Sequence, residues 1–176
     1  MASILKVNTI QDATNSNTAL SIDSSGRVLQ PTTPVFWAYS NTNNVSTANT
    51  AIVFNLTDLN NGNHYSTSTG RFTAPIAGLY CFGMVVDFAN RHSGVDYLGY
   101  GLKKNTAAQA SSGSTSASTF DKALIQARPN AERGPTTSGT NIIDLAANDF
   151  VVFYSRSVSE TEFHTSSMSF FGYLIG

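Results

Sequence analysis

Asn60-Asn61-Gly62-Asn63-His64-Tyr65-Ser66-Thr67-Ser68-Thr69-Gly70-Arg71-Phe72-Thr73-Ala74-Pro75-Ile76-Ala77-Gly78-Leu79-Tyr80-Cys81-Phe82 is the stretch on which the fold turns. It opens on Asn and Gly, residues that tolerate turn conformations ordinary side chains avoid. Gly70 and Gly78 supply the same freedom beside short apolar runs. Pro75 has no backbone donor, so it belongs at a corner where no ladder bond is lost. The segment Thr69–Phe82 therefore predicts a turn, a corner and the start of a central strand. Tyr80 and Phe82 are two residues apart, so on a strand they share one face.

Outward from this stretch the pattern repeats. Short runs rich in Val, Ile, Phe, Tyr and Thr occur at Val35–Tyr39, Ala51–Phe54, Gly70–Thr73, Leu79–Phe88, Tyr97–Lys103, Lys122–Ala127, Asn141–Leu145, Phe150–Ser155 and Ser167–Ile175. Such residues fit a pleated, half-buried surface. The gaps are turn-rich, and no window carries a 3.6-residue amphipathic repeat. Many short strands at this spacing predict an all-β sandwich or barrel.

Three runs depart from the usual alternation of an antiparallel sheet with one wet face. Leu79–Val86, Phe150–Tyr154 and Phe170–Ile175 are apolar on both faces. One face fills a core; the other needs a cover, and a neighbouring subunit is the economical one. The plainer alternative is a local loop lying over a deep two-layer core. Tyr80, Phe82, Tyr154, Phe171 and Tyr173 are the candidate subunit-interface residues, with core face and interface face left undivided.

Charged residues are only 12% of the chain and the net charge is -1. That leaves no field to favour nucleic acid or an anionic membrane. No apolar stretch reaches the ~18 residues of a membrane span. Cys81 is the sole cysteine, which excludes an intrachain disulfide, and within its apolar run it reads as a small buried hydrophobe. No catalytic motif stands out, and an enzyme is not expected. His64, His92 and His164 lie far apart. The acidic residues near loops, Asp87 with Asp96 and Glu160 with Glu162, are the only candidates for calcium, and isolated loop acids seldom bind it. No other cofactor or metal is expected.

Residues 1–33 differ from the rest. Ile4–Ile10 suits a short strand. Ala19–Ile22, Asp23-Ser24-Ser25-Gly26 and Val28-Leu29 form a hairpin pattern. A hairpin of this size is marginal alone, so an attachment role is expected, with Ile4, Leu5, Val7 and Ile10 as its apolar contacts. Pro31 and Pro34 make a stiff junction. The start of the chain lacks the basic and long apolar regions of a signal peptide.

Two resemblances add to this reading. Phe54-Asn55, Tyr65, and Thr69, Gly70, Phe72, Ala74, Pro75, Gly78, Tyr80 and Phe82 resemble the pattern of the complement first-component q globular heads and adiponectin, relatives of the tumour-necrosis-factor ligands. Leu102-Lys103-Lys104-Asn105, Leu145–Val151 and Phe170–Ile175 continue the likeness over residues 34–176. Asn148 stands where the family has Gly, a replacement compatible with positive φ. The resemblance implies a ten-stranded antiparallel jelly-roll sandwich assembled as a homotrimer. Ala2–Gln11 is similar to the opening of many bacteriophage tail-fibre and appendage proteins. The collagen-like stalk of complement relatives is absent.

Together these imply a virion surface protein assembled in the host cytoplasm. Residues 1–33 would join other virion proteins, and residues 34–176 would form a trimeric knob that contacts a host-surface glycan or protein through Asn90–Asp96, Ser111–Thr119 and Pro129–Gly139. The alternative is a head or tail decoration protein that stabilises the particle without touching the host.

Overall fold

The structure is a computed structural model that describes residues 4–40, 44–47, 50–88, 98–105, 122–127, 137–157 and 162–176. The chain divides into two compact units, Met1–Thr33 and Pro34–Gly176.

The first unit is a three-stranded antiparallel sheet of β1 (Thr9–Gln11), β2 (Thr18–Ile22) and β3 (Val28–Leu29), in that order. The expected Gly turn joins β2 to β3. The Asp23 carboxylate accepts the N–H groups of Ser25 and Arg27, each at 2.9 Å, and pairs with the Arg27 side chain at 2.6 Å. Gly26 takes φ 79° there. The strand expected over Ile4–Ile10 is shorter. Ile22 donates to the Asn8 carbonyl and the chain turns at Asp23, so β2 ends before it can pair with Ile4 to Val7.

The second unit contains β4 (Val35–Ser40), β5 (Asn44–Thr47), β6 (Leu56–Asn61), β7 (Tyr65–Ser66), β8 (Arg71–Thr73), β9 (Gly78–Phe88), β10 (Leu98–Lys104), β11 (Lys122–Ala127), β12 (Thr137–Leu145), β13 (Phe150–Ser157) and β14 (Glu162–Leu174). They build two antiparallel sheets, ordered β11-β10-β13-β8-β7 and β12-β9-β14-β4-β6. Those two ladders hold ten strands; β5 pairs with the first residues of β14 and makes the second sheet six-stranded. No helix occurs among the described residues.

The space between the sheets is filled by rings. Phe36 stacks on Tyr65 at 4.8 Å and meets Phe170 edge-on at 5.0 Å, while Phe82 stacks on Phe170 at 5.8 Å. Phe72, Tyr80 and Phe153 close the cluster, all fully buried. Tyr65 brings a hydroxyl into this core. It accepts the Phe54 N–H at 3.1 Å and donates to the Phe54 carbonyl at 3.4 Å, which satisfies the buried oxygen. Burial pushes its ionisation far above the usual tyrosine range.

The stretch read first lies as its residues require. Gly70 has φ 68°, and a Cβ there would stand 2.6 Å from the Ile52 carbonyl oxygen, so no side chain fits. Just before Pro75 the corner is tied to the β12–β13 turn. Ala74 donates to Asp149 and Asn148 donates to Ala74, both at 2.8 Å. Asn148 has φ 69°, the positive value that lets it stand in for Gly.

Asp149 locks this turn to β10. Its carboxylate pairs with Lys104 at 2.7 Å and accepts the Asn105 amide at 2.6 Å and the Ala146 N–H at 2.8 Å. Led by Lys104, these donors hold the carboxyl down at about 2. A depressed folded pKa contributes stability that is present above the ordinary carboxylate value and lost as pH falls through the folded one. Thermal denaturation of the native protein should therefore show a midpoint falling between about pH 4 and pH 2. Asp149→Asn should have a lower midpoint at pH 7 and a flatter profile across that window; an unchanged profile would remove the lock.

Candidate binding interface: the open face of the six-stranded sheet

Period two divides each strand of the second sheet into a core side and an open side. On β9, Tyr80, Phe82, Met84 and Val86 are sealed in the core, so Leu79, Cys81, Gly83 and Val85 point away from it. Register extends the open side into rows. One row runs Ile142, Cys81, Tyr173, Val35 and Asn61. The next runs Thr140, Gly83, Phe171, Trp37 and Leu59, and the third Ser138, Val85, Ser169, Tyr39 and Leu56.

A Cβ on Gly83 would stand 2.3 Å from the Phe171 ring, so Gly83 exists to let that ring lie across the sheet. Trp37 beside it is 52% exposed, and Leu59, Leu79, Ile142 and Tyr173 are exposed to a similar degree. Two adjoining hollows of ≈ 280 Å³ and ≈ 260 Å³ share Trp37, Val85 and Ser169 in their walls. Polar groups stand at the margin. Asp58 accepts the Tyr39 hydroxyl and pushes that phenol above its usual range, and the hydrogen bond of Tyr173 to Cys81 acts in the same direction. Covering such a face returns about 1 kcal/mol for each half-exposed large side chain, since full burial is worth ~1.5–3 kcal/mol.

The candidates read from sequence separate accordingly. Phe171 and Tyr173 are on the open face. Tyr80 and Phe82 are not: both are fully buried between the sheets, and the Tyr80 hydroxyl donates to the Ile76 carbonyl at 2.8 Å. Tyr154 lies on β13 of the other sheet, fully buried with the Lys103 ammonium 4.2 Å above its ring. Cys81, expected in the core, is a half-buried free thiol on the open face, because it occupies an odd position of β9. Trp37, Leu59, Leu79, Val85 and Ile142 were missed. The usable signal was Trp37 between Phe36 and Ala38: a large ring alternating with core residues must point the other way. Ile4 and Leu5 are exposed, Val7 is half-buried and Ile10 is exposed on β1.

The ladder also separates the two ends of the sandwich. Val35 pairs with Tyr173, and Leu79 with Gly176 at the same end. β9 ends and β10 begins at the opposite end, as β11 ends and β12 begins, while β10 ends and β11 begins at the Val35 end. The expected contact loops Asn90–Asp96 and Ser111–Thr119, and most of Pro129–Gly139, lie outside the described residues. So do Asp96, Glu160 and the side chains of Asp87, Glu162 and His164, on which the calcium expectation rested. Among the described residues no three His, Cys, Asp or Glu side chains gather as a metal site.

An antiparallel two-sheet jelly roll with an aromatic core and one open apolar sheet face defines the class. The chain belongs to the C1q-domain family, whose family model matches residues 35–175. The globular domain of zebrafish complement 1qA protein is similar at 19% identity and a TM-score of 0.60, covering 82% of this chain and 98% of that one. The Eiger TNF of S. frugiperda is similar at 11% identity and a TM-score of 0.51, covering 81% and 94%. At these identities the two structures speak to the fold. No curated protein matches the chain.

Proposed function

We propose that this protein is a non-enzymatic homotrimeric knob whose copies meet through the open face of the six-stranded sheet, and that the knob is a phage surface appendage. The observation that carries the trimer is the apolar middle row of Gly83, Phe171, Trp37 and Leu59, in which Trp37 and Leu59 stand half in water on one chain. A patch this apolar is unusual on a chain that works alone, and three copies around an axis give the closed arrangement that its homotrimeric family favours.

The virion reading rests on the opening Ala2–Gln11 and on a small sheet joined to the knob by a short proline-bearing connector. Through residues 1–33 the knob joins other virion proteins. Its surface holds few charges, so recognition uses hydroxyls, amides and aromatics, groups suited to neutral sugars. Three weak sites acting together gain by avidity. Asn90–Asp96, Ser111–Thr119 and Pro129–Gly139 are the segments this reading assigns to the host.

Light scattering on the purified protein should give three times the chain mass at micromolar concentration; a monomer overturns the trimer. Purified knob should bind host cells and block infection. If it does neither, and particles lacking it infect normally but burst on gentler heating, it is a decoration protein instead.

A further inference from the structure

The first unit has an apolar face of its own. Ile10 stands opposite Leu20, and Ile22 opposite Val28; Leu20 and Ile22 are two residues apart on β2. These four side chains therefore share one side of the three-stranded sheet, while Thr9, Ser21 and Leu29 take the other. Val28 is 60% exposed, Ile10 48% and Ile22 40%. The unit holds no further strand or helix among its described residues to lay over them. A one-layer sheet of this size has no core of its own.

We infer that this face is covered by the same face of two other copies, so that Ile10, Leu20, Ile22 and Val28 form a second, separate contact between copies of the chain. Three observations choose this occupant. Only Gln30–Thr33 separate β3 from Pro34, a span of at most about 14 Å. Pro34 accepts the Leu174 N–H at 3.0 Å and leads directly into β4, a strand of the proposed trimer face. Assembly through that face tethers three such sheets to one trimer by short connectors, at roughly millimolar effective concentration toward one another. Charge raises no objection: residues 1–33 carry Lys6 and Arg27 against Asp12 and Asp23, and Asp23 is already paired with Arg27. Like faces can meet without like-charge repulsion. Ile4 and Leu5, ahead of the sheet, stay free for a different partner.

The inference rests on the trimer reading, and the test separates the two. Full-length protein is assembled from a mixture of ¹³C-methyl-labelled and unlabelled chains. Isotope-filtered NMR should show contacts between copies for the methyls of Ile10, Leu20, Ile22 and Val28. Val28→Lys puts a charge on the most exposed of the four, a site where a lone sheet tolerates it. It should erase those contacts and speed amide exchange over Thr18–Ile22 by at least ~10-fold, with the trimer mass unchanged. A trimer whose sheet methyls contact only their own chain overturns this inference alone, as does Val28→Lys with contacts and exchange unaltered. A monomer overturns both readings.

Discussion

Val85→Asp yields a folded monomer. Val85 lies on β9 between Ser138 and Ser169, 38% exposed, in the wall of both hollows of the open face. On a lone chain a carboxylate there keeps much of its water. In the assembled trimer the same carboxylate is desolvated without a partner in each of three copies. Breaking or omitting one partner of a buried charge costs about 3–5 kcal/mol, so three such sites offset most of what the half-exposed apolar side chains return and leave the entropy cost of association uncompensated. The expected result is one chain mass by light scattering at micromolar concentration, with a far-ultraviolet circular-dichroism spectrum still dominated by strand. A Val85→Asp protein that remains trimeric places the subunit contact elsewhere.

Phe170→Ala acts on the other side of the same sheet. Phe170 is fully buried and meets Phe36, Phe54, Tyr65, Phe82 and Phe153 at ring separations of 5.0 to 6.3 Å. Removing its ring opens a hole that five other rings, packed across two sheets, cannot all close. Phe→Ala changes of this kind cost about 3–5 kcal/mol, a large part of the 5–15 kcal/mol that holds an ordinary domain together. Denaturant titration should show an unfolding free energy lowered by that amount, with an earlier midpoint. A loss below about 1 kcal/mol would mean the aromatic cluster is loosely packed. The contrast with Val85→Asp is the point of the pair. Adjacent strands of one sheet carry both positions, yet one substitution weakens the fold and the other removes only the assembly.

How far the sequence went can be judged from those positions. Most strands were legible, because apolar runs between Asn, Gly and Pro turns have few other readings, but the strand expected at Ala51–Phe54 is only an isolated bridge at Ala51, and the strand there is Leu56–Asn61 instead. Asn148 was legible as a positive-φ residue, and it has φ 69°. The two-faced apolarity of Leu79–Val86 was legible too. What period two could not supply was which of its two classes meets the partner sheet. Tyr80 and Phe82 are larger than Cys81, Gly83 and Val85, and bulk made them look fit for either place. The answer depends on β8 of the facing sheet, whose Phe72 closes over Tyr80 at 5.5 Å and Phe82 at 5.4 Å. Trp37 was passed over because Val35–Tyr39 reads as continuously apolar. The short first strand was misjudged because pairing length depends on its neighbour, and β2 stops at Ile22.

One backbone bond bears on how such a module can be joined to other chains. The Leu174 N–H reaches the Pro34 carbonyl at 3.0 Å, so the jelly roll is entered and left at neighbouring points. A unit whose doorway and exit adjoin can be spliced into a surface loop of an unrelated host chain without prising that loop apart. It also tolerates rewiring: a short bridge from Gly176 back to Pro34 would close the sandwich into a ring, which could then be reopened at another turn. The knob is in that sense a cassette, portable between carriers at little conformational expense.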